Sequence, residues 1–281
     1  MRSTVLGATG IVGGFIKDQL VELGEKPFAL SRKLQKCTDG VNWIQGDLTS
    51  PDSVHIPPSE VIYSTVHPLI LARAMRVTTS PTLRRLVFFT STSIVNKTSS
   101  DIPSERDSVR TLAYGEQMLC DECDRQGVDW TVLRPTLVYA EGRDANVTRL
   151  SRFIDRFGFF PLSGFGNGLR QPVHAQDLAK AAVAAAMSPH TVNKMYALPG
   201  KDTLTYREMV GRIFDGLGRP RIIIPMPPLV WRLAFMAARP FLPNVNHAMG
   251  ARMSKDMIFD SRPAEQDFEF NPRPFRPRFP T

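Results

Sequence analysis

Ser3-Thr4-Val5-Leu6-Gly7-Ala8-Thr9-Gly10-Ile11-Val12-Gly13-Gly14 decides the fold. A short β-rich run enters a turn holding Gly7, Gly10 and Gly13. An amphipathic run (Phe15, Ile16, Leu20, Val21, Leu23) then continues at helical spacing. Gly7 permits the tight exit from the strand, because it tolerates φ values barred to other residues. Gly10 lets backbone approach a ligand closely, and Gly13 lets the helix lie against the sheet. The amides of the first helical turn would face a pyrophosphate, which the helix dipole also favours. Thr9, Ile11 and Val12 belong to the same cradle. A glycine pattern that leaves a strand and opens a helix reads as a dinucleotide site.

Outward from that turn, strands alternate with helices. Lys26–Leu30, Val41–Gln45, Glu60–Thr65, Arg84–Thr90 and Asp129–Arg134 read as strands two to six, with helices over Leu69–Val77 and Thr111–Arg125 and a polar loop over Lys97–Arg110. Such alternation predicts an α/β fold with a doubly wound parallel sheet. The end of strand two discriminates between cofactors. An acid there accepts from the adenosine ribose, whereas basic residues accommodate a 2′-phosphate. Ser31, Arg32 and Lys33 stand in that place and favour NADP, with NAD as the alternative. Asp47, after strand three, either accepts from the adenine amino group or caps the next turn. The hydroxyls Thr90-Ser91-Thr92-Ser93 mass at a strand's carboxyl end, where ligands of open α/β sheets bind.

The chain has 281 residues, 42% hydrophobic and 9% aromatic, as expected for a globular protein with a real core. No apolar run reaches the ~18–20 residues that cross a bilayer. The beginning lacks a signal pattern, and three cysteines form no even set, so the expectation is an unprocessed, reduced, cytoplasmic protein. Cys120 and Cys123 form one C-x-x-C with no second pair to make a metal site. The five histidines do not recur at ligand spacing. Net charge is +8. Much of the excess sits near the C-terminus (Arg273, Arg276, Arg278) without the aromatic-basic pattern of nucleic-acid binding. Phosphorylated small molecules or an anionic membrane surface explain it as well.

Gly7-x-x-Gly10-x-x-Gly13, Gly46-Asp47-Leu48, Phe88–Ser93, Tyr114-Gly115, Leu133-Arg134-Pro135-Thr136-x-Val138-Tyr139 and Arg170–Ala179 fall in order. Together they resemble the extended and atypical short-chain dehydrogenases/reductases, within the NAD-dependent epimerase/dehydratase group. The resemblance covers nearly the whole chain. It implies a Rossmann domain over residues 1–135, its sheet partly completed by later segments, and a smaller C-terminal α/β substrate lobe with a Pro/Arg-rich tail over 136–281. It also implies bound NAD(P) and a nucleotide-linked sugar or related carbonyl or alcohol as substrate. The cofactor would run along Gly7, Thr9, Gly10, Ile11, Val12, Gly13, Ser31, Arg32, Lys33, Asp47, Leu48, Ser64, Thr90 and Pro135.

In active members a Ser/Thr polarises the substrate oxygen, and a Tyr followed four residues later by a Lys moves the proton. Thr92 matches the first and Tyr114 the second, but the lysine position holds Met118. An unperturbed tyrosine is ionised in only about one molecule in a thousand at pH 7, and methionine supplies no charge to help. Oxidised nicotinamide or a cation from elsewhere could compensate in part, with Lys97 and Arg134 as the sequence candidates. Tyr114 is therefore either the acid/base or an ordinary aromatic of the site wall or core. Arg143, Asn146 and Arg170 are candidate substrate-binding residues, since a guanidinium suits bidentate phosphate recognition.

His174 and Asp177 read as structural, Asp177 capping an Ala-rich helix over Leu178–Met187. Phe159–Leu162 and Gly164-x-Gly166-x-Gly168 read as a mobile loop. Thr205-x-x-Glu208 is a capping box. The apolar Pro228–Leu242 segment could pack over the cleft, form a dimer surface or lie at a membrane interface. The tail after Phe270 reads as extended and partly disordered. The sequence leaves monomer or homodimer open. It also leaves two uses of the cofactor open: hydride chemistry on a sugar nucleotide, or non-catalytic sensing or assembly. A lipid-linked substrate is a third.

Overall fold

The order of parallel strands in the central sheet is the observation from which the rest of the architecture follows. In the computed structural model, which describes residues 2–36, 40–50, 54–77, 81–96, 102–227, 229–231 and 253–279, the elements run as follows. First come β1 (Ser3–Leu6), α1 (Ile11–Glu22), β2 (Phe28–Ser31), β3 (Asn42–Gln45), β4 (Val61–Ser64), α2 (Pro68–Val77) and β5 (Arg85–Phe89). Next are α3 (Ser93–Asn96), α4 (Pro103–Gln126), β6 (Asp129–Pro135), β7 (Val138–Tyr139), α5 (Val147–Phe157), β8 (Phe160–Ser163), β9 (Leu169–Arg170) and β10 (Val173–His174). Last are α6 (Ala175–Met187), β11 (Lys194–Leu198), β12 (Leu204–Thr205), α7 (Tyr206–Gly216), β13 (Ile223–Met226) and α8 (Arg262–Phe268).

Seven strands form one sheet in the order β11-β6-β5-β4-β1-β2-β3, and each adjacent pair is parallel. The order reverses between β1 and β4, the crevice where doubly wound sheets bind ligands. β1, β4 and β5 are buried along their whole length, as parallel strands covered on both faces must be. Leu71, Ala72 and Met75 of α2 and Leu119, Cys120 and Cys123 of α4 cover one side of the core. Burial raises the Cys120 thiol to about 12 and the Cys123 thiol further, so neither offers a thiolate near neutral pH. A Cβ on Gly115 would lie 2.6 Å from the Leu69 backbone N. Only glycine lets α4 approach α2 that closely.

The chain divides into two compact units. Unit 1 gathers Met1–Pro135, Ala175–Leu198 and Asp260–Asn271; unit 2 gathers Thr136–His174, Pro199–Phe259 and Pro272–Thr281. β11, from a later segment of the chain, is the edge strand of the central sheet, with Met195 opposite Val132 of β6. Unit 2 has its own core, in which Tyr139, Ile154, Leu162, Met209, Ile213, Phe214 and Phe275 are all fully or nearly fully buried.

Several expectations change here. The polar loop before residue 111 is in part helix: α4 starts at Pro103, the first helical position that proline favours. The loop expected at Phe159–Leu162 contributes β8, which pairs in parallel with β13. Asp177 is not a cap, because α6 starts two residues earlier and places it in the first turn. The tail is docked rather than loose. Phe275 is fully buried, its ring is 4.9 Å from that of Tyr139, and its backbone bonds Asp202 and Arg212. Of the apolar 228–242 segment, only residues 229–231 lie among those described. The capping box at Thr205–Glu208 is present with both of its bonds.

Candidate functional site

Gly7 has φ +82°, and a Cβ there would sit 2.4 Å from the Thr65 hydroxyl oxygen. That hydroxyl, just past β4, is within reach of the Leu6 and Gly7 carbonyls. The Gly10 N–H closes the turn onto the Gly7 carbonyl at 2.9 Å. Gly10 then caps α1 with no side chain to offer, and no acid stands in the first turn. The amides around Ile11, Val12 and Gly13 are thus left with the positive helix end uncompensated, a setting for an anion. A Cβ on Gly13 would lie 2.2 Å from the Gly7 carbonyl oxygen. The close approach is therefore of helix to turn, rather than of helix to sheet.

Beside this cradle, the carboxyl ends of β1, β2 and β3 enclose a cavity of about 290 Å³. Gly7, Thr9, Ser31, Arg32, Asp47 and Leu48 line it, with Thr49, Val66 and Ile70, which the sequence had not singled out. Ser31 is buried, and its Oγ accepts from Lys33 N at 3.2 Å and Gln35 Nε2 at 3.1 Å. Arg32 and Lys33 are exposed. The Asp47 Oδ1 accepts from Thr49 N (2.9 Å) and Thr49 Oγ1 (2.8 Å). Those two bonds hold its carboxyl below the usual range, with the Arg32 charge adding to them. Asp47 thus both caps its turn and lines the cavity.

Farther along the sheet edge, Ser64 is buried and its Oγ accepts from Val66 N. Pro135 O accepts from both the N–H and the hydroxyl of Thr92, at 3.1 and 3.0 Å. Thr92 is therefore buried, with its proton engaged. Thr90 donates to the Glu116 Oε2 at 2.7 Å. Glu116, 4% exposed, also takes both arms of the Arg134 guanidinium. Arg134 is thereby neutralised and is no free cation for a tyrosine. Lys97 lies outside the described residues.

Glu116 also fixes the register of α4. Its face reaches Thr90 at the end of β5, hence the binding edge. Tyr114 lies two residues away, about 200° around the helix, and is 60% exposed. Met118, one turn on, packs partly against the α2–α4 core. Tyr114 therefore lies exposed, on a different face of α4 from Glu116. The helix positions one and two turns before Glu116 are Leu112 and Ser108, and Ser108 donates to Ser104 O. The other four tyrosines are buried.

In unit 2, Arg143 and Asn146 lie on the exposed rim of a loop organised by Asp144. The Asp144 carboxylate, 7% exposed, accepts from Ala140 N, Asn146 N, Thr148 N and Thr148 Oγ1. Asn146 Nδ2 donates to Val138 O. Arg170 is a further correction. It is 4% exposed, its Nη1 donates to Leu169 O and Lys255 O at 2.6 Å, and it lies over the Tyr206 ring. A guanidinium spent on internal carbonyls builds the lobe and is not presented to a phosphate. His174 Nε2 and Glu141 Oε2 are 3.2 Å apart. Among the described residues no group of acids, histidines and cysteines could hold a metal, and no helix is long and apolar enough to cross a membrane.

Comparison with known proteins bears on family and fold. The mitochondrial NADH dehydrogenase [ubiquinone] 1 alpha subcomplex subunit 9 of Arabidopsis thaliana is 35% identical over 118 residues, 41% of this chain and 28% of that protein. The UDP-glucose 4-epimerase of Vibrio cholerae is 23% identical over 137 residues, 49% of this chain and 42% of that enzyme. The chain thus spans less than half the length of either relative. The structure of MoeE5 in complex with UDP-glucose and NAD superposes with a TM-score of 0.72 at 18% identity, covering 98% of this chain and 94% of that one. This is a likeness of fold. A family model for the NAD dependent epimerase/dehydratase family matches residues 55–198, just over half of the 281 residues, and with the sheet order and the glycine cradle this establishes that the chain belongs to that family.

Proposed function

We propose that the chain binds an NAD(P) dinucleotide across the β1–α1 cradle, with its adenosine in the neighbouring cavity. It would use that dinucleotide on a nucleotide-linked sugar or a related carbonyl or alcohol. The observation that carries the reading is the uncapped amino end of α1 behind the Gly7–Gly13 turn, opening beside a cavity lined by Arg32 and Asp47. Bound nicotinamide would supply hydride transfer. The chain's own part is to hold the pyrophosphate on backbone amides and the adenosine between Leu48, Val66 and Ile70. Arg32 and Lys33, with no acid at the end of β2, support NADP over NAD. The MoeE5 complex, which contains NAD and UDP-glucose, supports the nucleotide-sugar class.

A second reading is favoured by α4. With Met118, partly buried against the core, where a lysine would stand, the helix carries no tyrosine–lysine pair. A cofactor-binding protein that senses the dinucleotide or stabilises an assembly needs none, and the Arabidopsis relative is named as a subunit of a larger complex.

One titration separates these readings. Fluorescence with NADPH, NADP, NADH and NAD is followed by turnover assays on UDP-sugars. Submicromolar to micromolar NADPH binding, weakened about tenfold in Arg32→Ala while NADH is unaffected, supports the NADP site; such a loss is ordinary for one charge-assisted phosphate contact. Turnover supports the enzyme, and binding without turnover supports the second reading. Failure to bind any of the four dinucleotides rejects both.

A further inference from the structure

The charge of this protein is divided between its two units. Unit 2 contains 17 Lys and Arg against 7 Asp and Glu, a net +10, whereas unit 1 contains 18 against 20, a net −2. The entire positive excess of the chain thus belongs to one unit, and 15 of those 17 cations are arginines.

Within unit 2, α5 concentrates charge and aromatic surface side by side. Arg149, Arg152 and Arg156 are exposed. At 100° per residue they fall within an arc of about 60°. Phe153, partly buried against the core of the unit, and the exposed Phe157 occupy the next ~80° of the same helix. Arg156 lies over the Phe157 ring at 5.4 Å. Among the described residues none of these three arginines is ion-paired to an acid, since the neighbouring Asp155 pairs with Arg219.

The aromatic stripe continues beyond the helix. Phe157 meets the Phe159 ring, and the Phe160 N–H bonds Ile222 O at the start of the β8–β13 pair. Phe157 is 51% exposed, Ile222 48% and Ile224 45%, and Phe165, just past β8, is 72% exposed. Isolated exposed apolar residues need no explanation, but an apolar strip bordered by cations that pair with no acid does.

We infer that this face of unit 2 docks on the surface of an anionic phospholipid bilayer. The aromatic rings would enter the headgroup layer while the arginines reach lipid phosphates beside them, as in interfacial helices. Charge complementarity selects this occupant. A second copy of the chain would bring the same three arginines, Arg149, Arg152 and Arg156, against themselves, whereas an anionic leaflet attracts each basic residue near it by a factor of about five.

The test is sedimentation of the full chain with vesicles of phosphatidylcholine alone or with 30% phosphatidylglycerol, a composition on the order used to mimic anionic leaflets. Binding to the anionic vesicles only, falling as salt rises, is the expected result. The Arg149→Gln, Arg152→Gln, Arg156→Gln triple variant should lose about a hundredfold in partitioning, three factors of five. Phe157→Ser with Phe165→Ser should lose several-fold or more while the arginines remain. Circular dichroism and NADPH titration of each variant, the latter reading unit 1, show whether the fold survives. The inference is overturned if the chain ignores anionic vesicles, or if the phenylalanine pair proves irrelevant so that only polyanion attraction remains. It is also overturned if this face instead mediates self-association that the Phe157→Ser pair abolishes. Loss of NADPH binding alone would count against the dinucleotide site and leave vesicle binding to be judged separately.

Discussion

Replacing Gly13 with alanine isolates one contact in the cofactor cradle. Gly13 has an ordinary helical backbone, so a methyl group costs nothing in φ and should gain about 1 kcal/mol in helix propensity. The new Cβ would stand 2.2 Å from the Gly7 carbonyl oxygen and 2.8 Å from its carbon, more than ~1 Å inside van der Waals contact. Both opposing atoms are backbone, so no side chain can swing away. The helix start or the β1–α1 turn must move instead. Overpacking of this kind costs about 1–3 kcal/mol, and backbone against backbone puts it at the upper end. After the propensity gain, a net loss of about 1–2 kcal/mol remains, or about 2–8 °C in Tm for a chain of this size. The larger effect falls on binding, because the displaced amides are those that face the pyrophosphate. A shift near ~1 Å there should weaken NADPH at least tenfold, in line with the distance sensitivity of hydrogen bonds. Differential scanning fluorimetry and fluorescence titration measure the two quantities. A Gly13→Ala protein with unchanged Tm and unchanged dinucleotide affinity would refute the cradle geometry.

Tyr114→Phe should leave stability, dinucleotide affinity and any turnover within twofold of the parent, because its ring faces solvent. Glu116→Gln should cost about 1–3 kcal/mol in urea unfolding, less than full rupture of a buried pair because the amide still accepts one bond; a smaller loss than for Tyr114→Phe would reverse the assignment of the two helix faces. Phe275→Ala should cost about 3–5 kcal/mol, as deletion of a fully buried aromatic does, and should free residues 272–279 to protease; an unchanged digestion pattern would contradict the docked tail. At Glu141 burial alone would raise the carboxyl, but the His174 ring and backbone N–H groups, that of Arg278 among them, hold it below its ordinary 4.5. The ionised carboxylate therefore favours the native state above that pH, and the contribution is lost as pH falls through the lower folded value. The stability gap between parent and Glu141→Gln should narrow as urea titrations are taken below about pH 4.5, where the carboxylate takes up its proton; a gap that still widens below that pH would be inconsistent with a carboxylate held ionised in the fold.

The parallel sheet and the glycine cradle were legible because each strand there is a short apolar run closed by turn residues, a pattern local in sequence. The Thr205–Glu208 capping box was legible for the same reason. The face of α4 was not. Tyr114 and Glu116 are two residues apart, and only the partner across the sheet edge, Thr90, tells which of them points inward. A signal was present nonetheless, in that Glu116 interrupts the otherwise apolar stripe of Gly115, Leu119 and Cys120. Arg170 looked like a phosphate ligand because composition cannot tell a guanidinium aimed at a ligand from one aimed at buried carbonyls. The Pro/Arg tail read as loose for a related reason. Its low local propensity is offset by Phe275 entering a core built mostly from residues more than sixty positions earlier, which no local pattern records.

The three-segment construction of unit 1 constrains how the chain is made. During synthesis, Pro135 emerges with β6 paired only to β5 on one side, its other edge open until Lys194–Leu198 arrives about sixty residues later. At typical elongation rates of ~5–20 residues per second that edge stays unpaired for several seconds. An exposed apolar strand edge is a template for pairing with other chains. The whole of β7 to β10 and α6 must pass before it is covered, and α8, which bonds Tyr196 of β11 through Asp267, comes some sixty residues later still. A nascent chain halted between residues 135 and 194 should therefore aggregate or recruit chaperones, whereas one released after residue 271 should not.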